Sequence, residues 1–157
     1  MPRHTPGVAD GKNLGGTLDF MQTIWALFHA LQTRSAAMER SIGLTGPQRL
    51  VLRIVGRYPG ISPRELADTL HIHASTLTGV IARLVERKLL ARLDDPNDKR
   101  RARLKLTERG RAFDVQKAGT VESAIDTALG RASQAQIRAA RTLLNQITSQ
   151  LESAPES

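Results

Sequence analysis

The chain of 157 residues contains no cysteine, and its aromatic residues are only three Phe, one Tyr and one Trp. The absence of cysteine excludes disulfides, thiolate nucleophiles and cysteine-based zinc sites, and it fits a cytoplasmic protein. No apolar run is long enough to span a membrane. The first sixteen residues lack an apolar core and predict a loose tail rather than a signal peptide.

Sequence motifs for enzyme chemistry are also absent. The chain has no glycine-rich phosphate loop, no Ser/His/Asp set and no paired catalytic carboxylates. His71 and His73 form an H-x-H pair without a third ligand, which is a weak metal signal. We therefore predict a protein that is not an enzyme and that has no metal or cofactor.

What the chain does have is positive charge, with a net charge of +8 and a pI of about 11.0. The segment 83–111 holds eleven Lys/Arg against five Asp/Glu, so it accounts for most of the excess. A field of this sign attracts a polyanion. The concentration of charge in one segment predicts a localised binding surface.

Helical spacing of apolar residues dominates the pattern, first over about 17–40 and then through Leu50, Leu52, Ile54 and Val55. The stretch ISPRELADTL predicts a capping box between Ser62 and Glu65, with Pro63 in the first turn of a short helix. A longer helix is predicted from about 74 to 88. A short helix, a tight turn and a longer helix form a helix-turn-helix.

A β-hairpin is predicted directly after this motif. Residues 90–93 can form a short strand, and residues 101–106 alternate cationic with apolar side chains, which indicates a strand with one wet face. The stretch DDPND between them is typical of a turn and would place Lys99, Arg100 and Arg101 at the tip. The predicted fold class is mainly α with a small β-hairpin wing, a winged helix-turn-helix with N- and C-terminal dimerisation helices.

The remaining chain predicts two helices. Thr107 can cap a fifth helix that continues to Leu129, and Ser133 with Gln136 forms a capping box for the last helix. An apolar stripe with coiled-coil spacing on that last helix favours a homodimer interface. It consists of Ile137, Ala140, Leu144, Ile147 and Leu151. The predicted organisation is a tail (1–16), a first dimerisation helix (17–44), a DNA-binding lobe (45–111), C-terminal dimerisation helices (112–152) and a second tail (153–157).

On a helical wheel, residues 75–87 present an apolar face to the domain and a polar face to a DNA major groove. We predict that the hairpin enters the minor groove beside it, and that Asp98 holds the tip in shape by pairing with an arginine. The predicted DNA-binding residues are Ser75, Thr76, Thr78, Gly79, Arg83, Arg87, Asp98, Lys99, Arg100, Arg101 and Arg103.

These residues also carry a resemblance. Asp98-Lys99-Arg100, followed by Leu106-Thr107 and Gly110, resembles the D-[RK]-R…LT..G wing signature of the MarR family of bacterial transcription regulators. ELADTLHIHASTLTGVIARLVERKLL is similar to its helix-turn-helix. The resemblance implies a homodimer with Arg100 in the minor groove and Ser75, Thr76 and Thr78 on the groove-facing helix. Departures are Gly79, where a long polar side chain is common, and Leu89, where the family often has Gly.

The resemblance further implies a small-molecule pocket, for which the candidates are Met21, Trp25, Phe28 and His29. We predict a homodimeric regulator of double-stranded DNA that acts on a pseudo-palindromic operator as a repressor, released by a small aromatic effector. Small side chains on the groove-facing helix leave open an architectural DNA-binding protein of low specificity. A module that binds membranes or proteins is disfavoured, because the cations lie on a hairpin rather than along one amphipathic helix.

Overall fold

A computed structural model describes residues 15–115 and 117–153 of the chain. Its elements are α1 (Gly16–Ile42), α2 (Gly46–Arg57), α3 (Pro63–Leu70), α4 (Ala74–Glu86), β1 (Leu90–Asp95), β2 (Asp98–Leu106), α5 (Glu108–Arg111), α6 (Val121–Leu129) and α7 (Gln134–Ser153). This order confirms the mainly helical fold with a hairpin wing. Across the described residues, no helix has both the length and the apolar character that crossing a bilayer requires.

The chain divides into two compact units, Met1–Gly46 and Pro47–Ser157. In the first unit, α1 ends where Gly43 turns into the left-handed region at φ 71° and donates its N–H to Glu39 O. The N–H of Gly46 then donates to Ser35 Oγ at 2.8 Å. Gly16, predicted to be part of the tail, is the first residue of α1, and residues 1–14 of that predicted tail lie outside the described residues.

The second unit is built on the helix-turn-helix, and its start signal works as predicted. Ser62 Oγ accepts from the N–H of Glu65, while the Glu65 carboxylate accepts from the N–H of Ser62. This capping box satisfies two backbone donors at the start of α3. The apolar faces of α2, α3, α4 and the hairpin then form the core. Its buried members are Val51, Leu52, Val55, Leu66, Ala67, Leu77, Ile81, Leu84, Leu89, Leu90 and Leu104.

The wing is an antiparallel pair in which Leu90 lies opposite Leu106 and Arg92 opposite Leu104. The segment just before α3 pairs with β2 through two backbone hydrogen bonds. Gly60 N–H donates to Leu104 O, and Leu104 N–H donates to Ile61 O. The turn is tighter than DDPND predicts. Only residues 96–97 form it, so Lys99, Arg100 and Arg101 lie in β2 just after the tip rather than on it.

The passage from α4 to β1 needs a left-handed residue, which is Lys88 at φ 57°. The N–H of Leu89 donates to Leu84 O, and that of Lys88 donates to Val85 O, the pattern of a Schellman ending. The predicted helix to residue 88 is therefore two residues too long. The structure also explains why this chain can have Leu89 where the family often has Gly. The left-handed backbone conformation, which favours glycine, is at Lys88 and not at residue 89.

The prediction of one fifth helix from Thr107 to Leu129 is wrong. Thr107 does cap a helix, since its Oγ accepts from Gly110 N–H, but α5 ends at Arg111. A new helix, α6, begins after Thr120, whose Oγ accepts from Ser123 N–H. Gly119 precedes this cap at φ 81°, a conformation that a continuous helix excludes.

The last helix begins as predicted. Ser133 Oγ accepts from Gln136 N–H, and the Gln136 side chain accepts from Ser133 N–H. Helix α7 then continues to Ser153, which was predicted to be in the C-terminal tail. Residues 154–157 of that tail lie outside the described residues.

Candidate nucleic-acid interface

Helix α4 separates into a buried and an exposed face, as the wheel predicts. Leu77, Ile81 and Leu84 are buried, and they anchor the helix to the core. The polar positions predicted to meet DNA bases lie on the outside, in the first half of the helix. The exposed residues there are Ser75, Thr76, Thr78 and Gly79, and the same face continues with the exposed Ala82 and Arg83 in the second half. Arg87, directly after the helix, is half-buried.

The hydroxyl groups on this face differ in the hydrogen bonds that they can still make. Thr78 Oγ1 donates to Ala74 O at 2.7 Å, so its proton is engaged within the helix and its lone pairs face outward. This leaves Thr78 suited to accept from a donor such as the N4 amino group of cytosine or the N6 amino group of adenine. Ser75 and Thr76 lie in the first turn, where a ligand can approach the helix end closely.

Gly79 leaves a clear space in the middle of the exposed face. A Cβ atom built at this position would meet no other atom within 4 Å. Neither a close contact nor a left-handed backbone therefore requires glycine here. The space would let a flat partner approach the helix backbone.

The wing carries a cluster of exposed cations. Lys99, Arg100 and Arg101 are all exposed at the start of β2. Helix α4 contacts β1, and β1 pairs with β2, so the helix and the cationic hairpin belong to one packed unit. The structure thus brings both groups of predicted DNA-binding residues into the same lobe.

Asp98 holds the beginning of β2, although not by the bidentate contact that the sequence suggests. One carboxylate oxygen accepts from the N–H of Arg100 at 3.0 Å. The other lies 3.6 Å from Arg101 Nε, with both side chains exposed. At that length the contact between Asp98 and Arg101 is an ion pair and not a hydrogen bond. Exposed ion pairs of this kind contribute little to the free energy of folding.

The stronger tie in the wing is between Asp95 and Arg103. Asp95 Oδ2 accepts from Arg103 Nε at 2.9 Å, and its Oδ1 accepts from Asn97 N–H at 2.9 Å. The Asp95 side chain is only 10% exposed. The hydrogen bond from Asn97, together with that from Arg103, lowers the pKa of Asp95. Arg103, predicted to bind DNA, is thus half-buried and engaged by a carboxylate.

Asp95 was not among the predicted site residues. The signal that could have identified it is its position before Pro96-Asn97, where an aspartate side chain often bonds to the backbone two residues on. Its function in the site is to fix the turn, because it ties the tip backbone to the middle of β2. The cations at 99–101 are therefore presented on a braced hairpin.

The residues predicted to form a dimer interface and a ligand pocket lie on helices with little buried surface. Helices α6 and α7 have no buried residues among those described. Ile137 and Ile147 are half-buried, whereas Ala140, Leu144 and Leu151 are exposed. On α1, the four candidates for the pocket are exposed in the single chain. They are Met21, Trp25, Phe28 and His29.

Known proteins share both this sequence and this fold. A family model described as MarR family matches residues 42–101. The transcriptional regulator FarR of Neisseria gonorrhoeae is 30% identical over 105 residues, which cover 65% of this chain and 72% of FarR. The transcriptional repressor Rv2887 of Mycobacterium tuberculosis is 27% identical over 143 residues, which cover 91% of this chain and 99% of the repressor.

Solved structures agree on the fold. The S. aureus MepR–DNA complex matches with a TM-score of 0.69 at 18% identity, over 84% of this chain and 97% of MepR. The transcriptional regulator SlyA matches with a TM-score of 0.68 at 24% identity, over 85% of this chain and 94% of SlyA. With the wing signature, the helix-turn-helix and the FarR match, these findings show that the chain belongs to the MarR family of winged helix-turn-helix transcriptional regulators.

Proposed function

We propose that this protein is a homodimer that binds a pseudo-palindromic operator in double-stranded DNA and represses transcription. The observation that carries the proposal is the pairing, in one lobe, of an exposed polar face on α4 with exposed cations at the start of β2. A helix of this size fits the major groove, and a cationic finger beside it fits the minor groove. The solved structure of S. aureus MepR, which has the same fold, is a complex with DNA, and this supports DNA binding by the present chain.

Base contacts in the major groove fall to the first half of α4. Ser75 and Thr76 can donate or accept, Thr78 can accept, and a threonine methyl can contact the thymine methyl. Arg83 lies further along the same face and suits a phosphate. Because the long bidentate readers are few, we propose that α4 supplies part of the discrimination and that the wing supplies the rest.

The wing contribution is electrostatic and depends on groove shape. Narrow A·T-rich minor grooves concentrate negative potential and attract an inserted guanidinium. Arg100 is the residue that we assign to this role. Asp98 binds its N–H, and the turn before it is braced by Asp95. Lys99 and Arg101 flank it and can contact the two phosphate backbones.

The dimer is proposed from the apolar surface of the terminal helices. Helix α7 exposes Leu144 and Leu151, and α1 exposes Trp25 and Phe28, each by more than 40%. Large apolar side chains exposed on both helices support an interaction site on each of them. A second copy of the chain is the partner that fits a two-fold operator, because the protein symmetry then matches the DNA symmetry.

Repression and its release by a ligand are proposed on different grounds. Several relatives are repressors by name, Rv2887 among them. For the effector, we propose a small planar aromatic compound. Trp25 and Phe28 lie one turn apart on α1, next to Met21 and His29, and they supply aromatic surface that dimerisation would enclose.

The testing experiment measures equilibrium binding of purified protein to a labelled duplex from the upstream region of its own gene, with random duplex as competitor. Wild type should prefer the upstream duplex, and Arg100→Ala should lose roughly 1–3 kcal/mol of specific binding, most at A·T-rich flanks. Arg131→Ala, which removes an exposed cation between α6 and α7, is the matched control and should bind as wild type.

Two results would count against the proposal. Full retention of affinity by Arg100→Ala would contradict the wing assignment. Competition by random DNA as effective as that by the upstream duplex would favour the alternative, an architectural protein of low specificity. The small residues on α4 and the engaged hydroxyl of Thr78 give that alternative its support.

A further inference from the structure

Arg49, near the start of α2, is a buried cation that DNA binding does not explain. Only 2% of the residue is exposed, and it is the largest fully buried side chain among the described residues. Its Nη1 donates to Phe113 O at 2.7 Å, its Nη2 donates to Val115 O at 2.6 Å, and its Nε donates to Glu122 Oε1. All three guanidinium nitrogens are thus used within the protein.

The partners of Arg49 lie within a helix break and at the start of the helix that follows it. Phe113 and Val115 belong to the non-helical connector between α5 and α6, and Glu122 lies in the first turn of α6. Carbonyl groups in such a connector lack helical partners, so a side-chain donor has to satisfy them wherever water does not. The guanidinium donates to two of these carbonyl groups and to one carboxylate.

A second arginine on the same face of α2 extends the contact. Arg53, one turn after Arg49, donates from Nη1 to Asp114 O at 2.9 Å and to Asp114 Oδ1 at 2.8 Å. Gly56 follows on that face, and a Cβ atom there would lie 2.0 Å from Asp114 Oδ2. The absence of a side chain at Gly56 is therefore what lets Asp114 lie against the helix. We call Arg49, Arg53 and Gly56 the α2 seat.

The α2 seat fixes how α6 leaves the DNA-binding lobe. A planar guanidinium with three directed hydrogen bonds restrains orientation, which a lysine with one mobile ammonium does not. In the described part of the connector, the backbone hydrogen bonds are turn contacts such as that from Phe113 N–H to Gly110 O, which do not extend into α6. The direction of α6 relative to the lobe therefore depends on contacts with α2.

We propose that the α2 seat and Glu122 set the spacing between half-sites that the dimer accepts. The inference depends on the proposed function, because two copies must pair through their terminal helices. If they do, a rotation of α6 against the lobe moves the two copies of α4 relative to each other. Arg49 and Glu122 are then positioning residues: they contact no DNA, yet they select the operator geometry.

The test uses a series of duplexes that carry the same half-sites with zero, one, two or three base pairs inserted between them. Each insertion turns one half-site by roughly 35° about the duplex axis. Wild type should lose at least about tenfold in affinity over the series, because simultaneous engagement of both half-sites fails. Glu122→Gln and Arg49→Lys should reduce that loss to about threefold or less, while binding of an isolated half-site stays unchanged.

Controls separate this effect from poor folding and from failure of the proposed function. Arg57→Gln changes an exposed cation at the end of the same helix and should keep the wild-type spacing preference. Because the chain has no cysteine, Glu86→Cys can carry a single spin label on α4. The distance between the labels of two copies should be narrowly distributed in wild type and broader in Glu122→Gln.

The proposal is overturned if Glu122→Gln and Arg49→Lys keep the wild-type spacing preference, or if they weaken binding to every duplex equally. If either Glu122→Gln or Arg49→Lys loses its helical circular dichroism signal, the comparison with wild type is made with the other variant. If wild type itself binds no duplex of the series above random DNA, the proposed function fails first, and this inference fails with it.

Discussion

At the scale of single residues, the wing depends on a carboxylate that carries no part of the binding chemistry. Asp95 fixes the turn through Asn97 N–H and holds the Arg103 guanidinium in the middle of β2. Because Asp95 binds Arg103, the cations of the wing differ in function. Arg103 is structural in the free protein, whereas Lys99 and Arg100 remain exposed for a ligand.

Replacing Asp95 by Asn should loosen the hairpin while leaving the helices intact. The amide keeps the shape but loses the charge that holds Arg103, so hydrogen exchange at the β2 amides should become several times faster. Operator affinity should fall less than in Arg100→Ala, because the cations themselves remain. Asp94→Asn, an exposed neighbour in β1, is the control. If hydrogen exchange at the β2 amides is unchanged in Asp95→Asn, Asp95 does not stabilise the hairpin as we propose.

The same pair predicts a pH dependence. Because its hydrogen bonds lower the pKa of Asp95 in the folded protein, ionised Asp95 stabilises the hairpin at all pH values above the ordinary aspartate pKa of about 3.9. This contribution is lost as the pH falls through the lowered value. Exchange at β2 amides should therefore stay constant from neutral pH to about pH 5 after correction for intrinsic rates, then rise below pH 4. A rise of the exchange rate already near pH 6 would contradict the assignment of this pH dependence to Asp95.

At the scale of secondary structure, local signals predicted the helix starts and failed at the connector. The capping boxes at Ser62 and Ser133 depend on residues three apart, so the sequence displays them completely. The break between α5 and α6 depends instead on Arg49, which lies 64 residues before Phe113. A local stretch of sequence does not contain both partners of that contact. Without the contact, the pattern around Thr120 predicts a continuous helix.

Site residues divide in the same way. The exposed face of α4 follows from helical spacing, and the exposed cations follow from the charge run. The pairing of Arg103 with Asp95 requires the folded hairpin, whereas the hydrogen bond from Thr78 to Ala74 is a local contact of four residues that needs only the helix. Sequence patterns therefore predict which surface is polar but not which polar groups are already satisfied.

Two glycines give a matched prediction at this scale. A Cβ atom at Gly110 would lie 2.0 Å from Leu89 O, a backbone atom that cannot move aside. Gly110→Ala should therefore lower the free energy of unfolding by about 2 kcal/mol or more, as overpacking does. Gly79→Ala, in open space within α4, should raise it by about 0.5–1 kcal/mol. Urea denaturation measures both, and equal effects would contradict the assigned environments.

At the scale of the whole molecule, the exposed apolar residues of the terminal helices support the proposed assembly. Leu144 is 43% exposed on α7, which has no buried residue among those described. If a second copy covers it, burying the exposed 43% of Leu144 contributes about 1 kcal/mol. The proposed dimer would be the state in which α7 acquires a core.

Leu144→Glu should therefore shift the protein toward monomer without unfolding the winged helix. Sedimentation velocity measures the shift, and circular dichroism at the same concentration checks the fold. Thr142→Glu adds the same charge on the opposite face of α7 and should leave the dimer intact. A wild-type protein that sediments as a monomer at micromolar concentration would contradict the assembly.

The most direct test of the central claim, a recognition helix and an adjacent wing on DNA, is dimethyl sulfate footprinting of the bound operator. This reagent methylates guanine N7 in the major groove and adenine N3 in the minor groove. The predicted result is two stretches of protected guanines, roughly one helical turn of 10 base pairs apart or a multiple of it, each beside protected adenines. Protection of guanines alone, with adenine N3 as reactive as in free DNA, would contradict the wing in the minor groove.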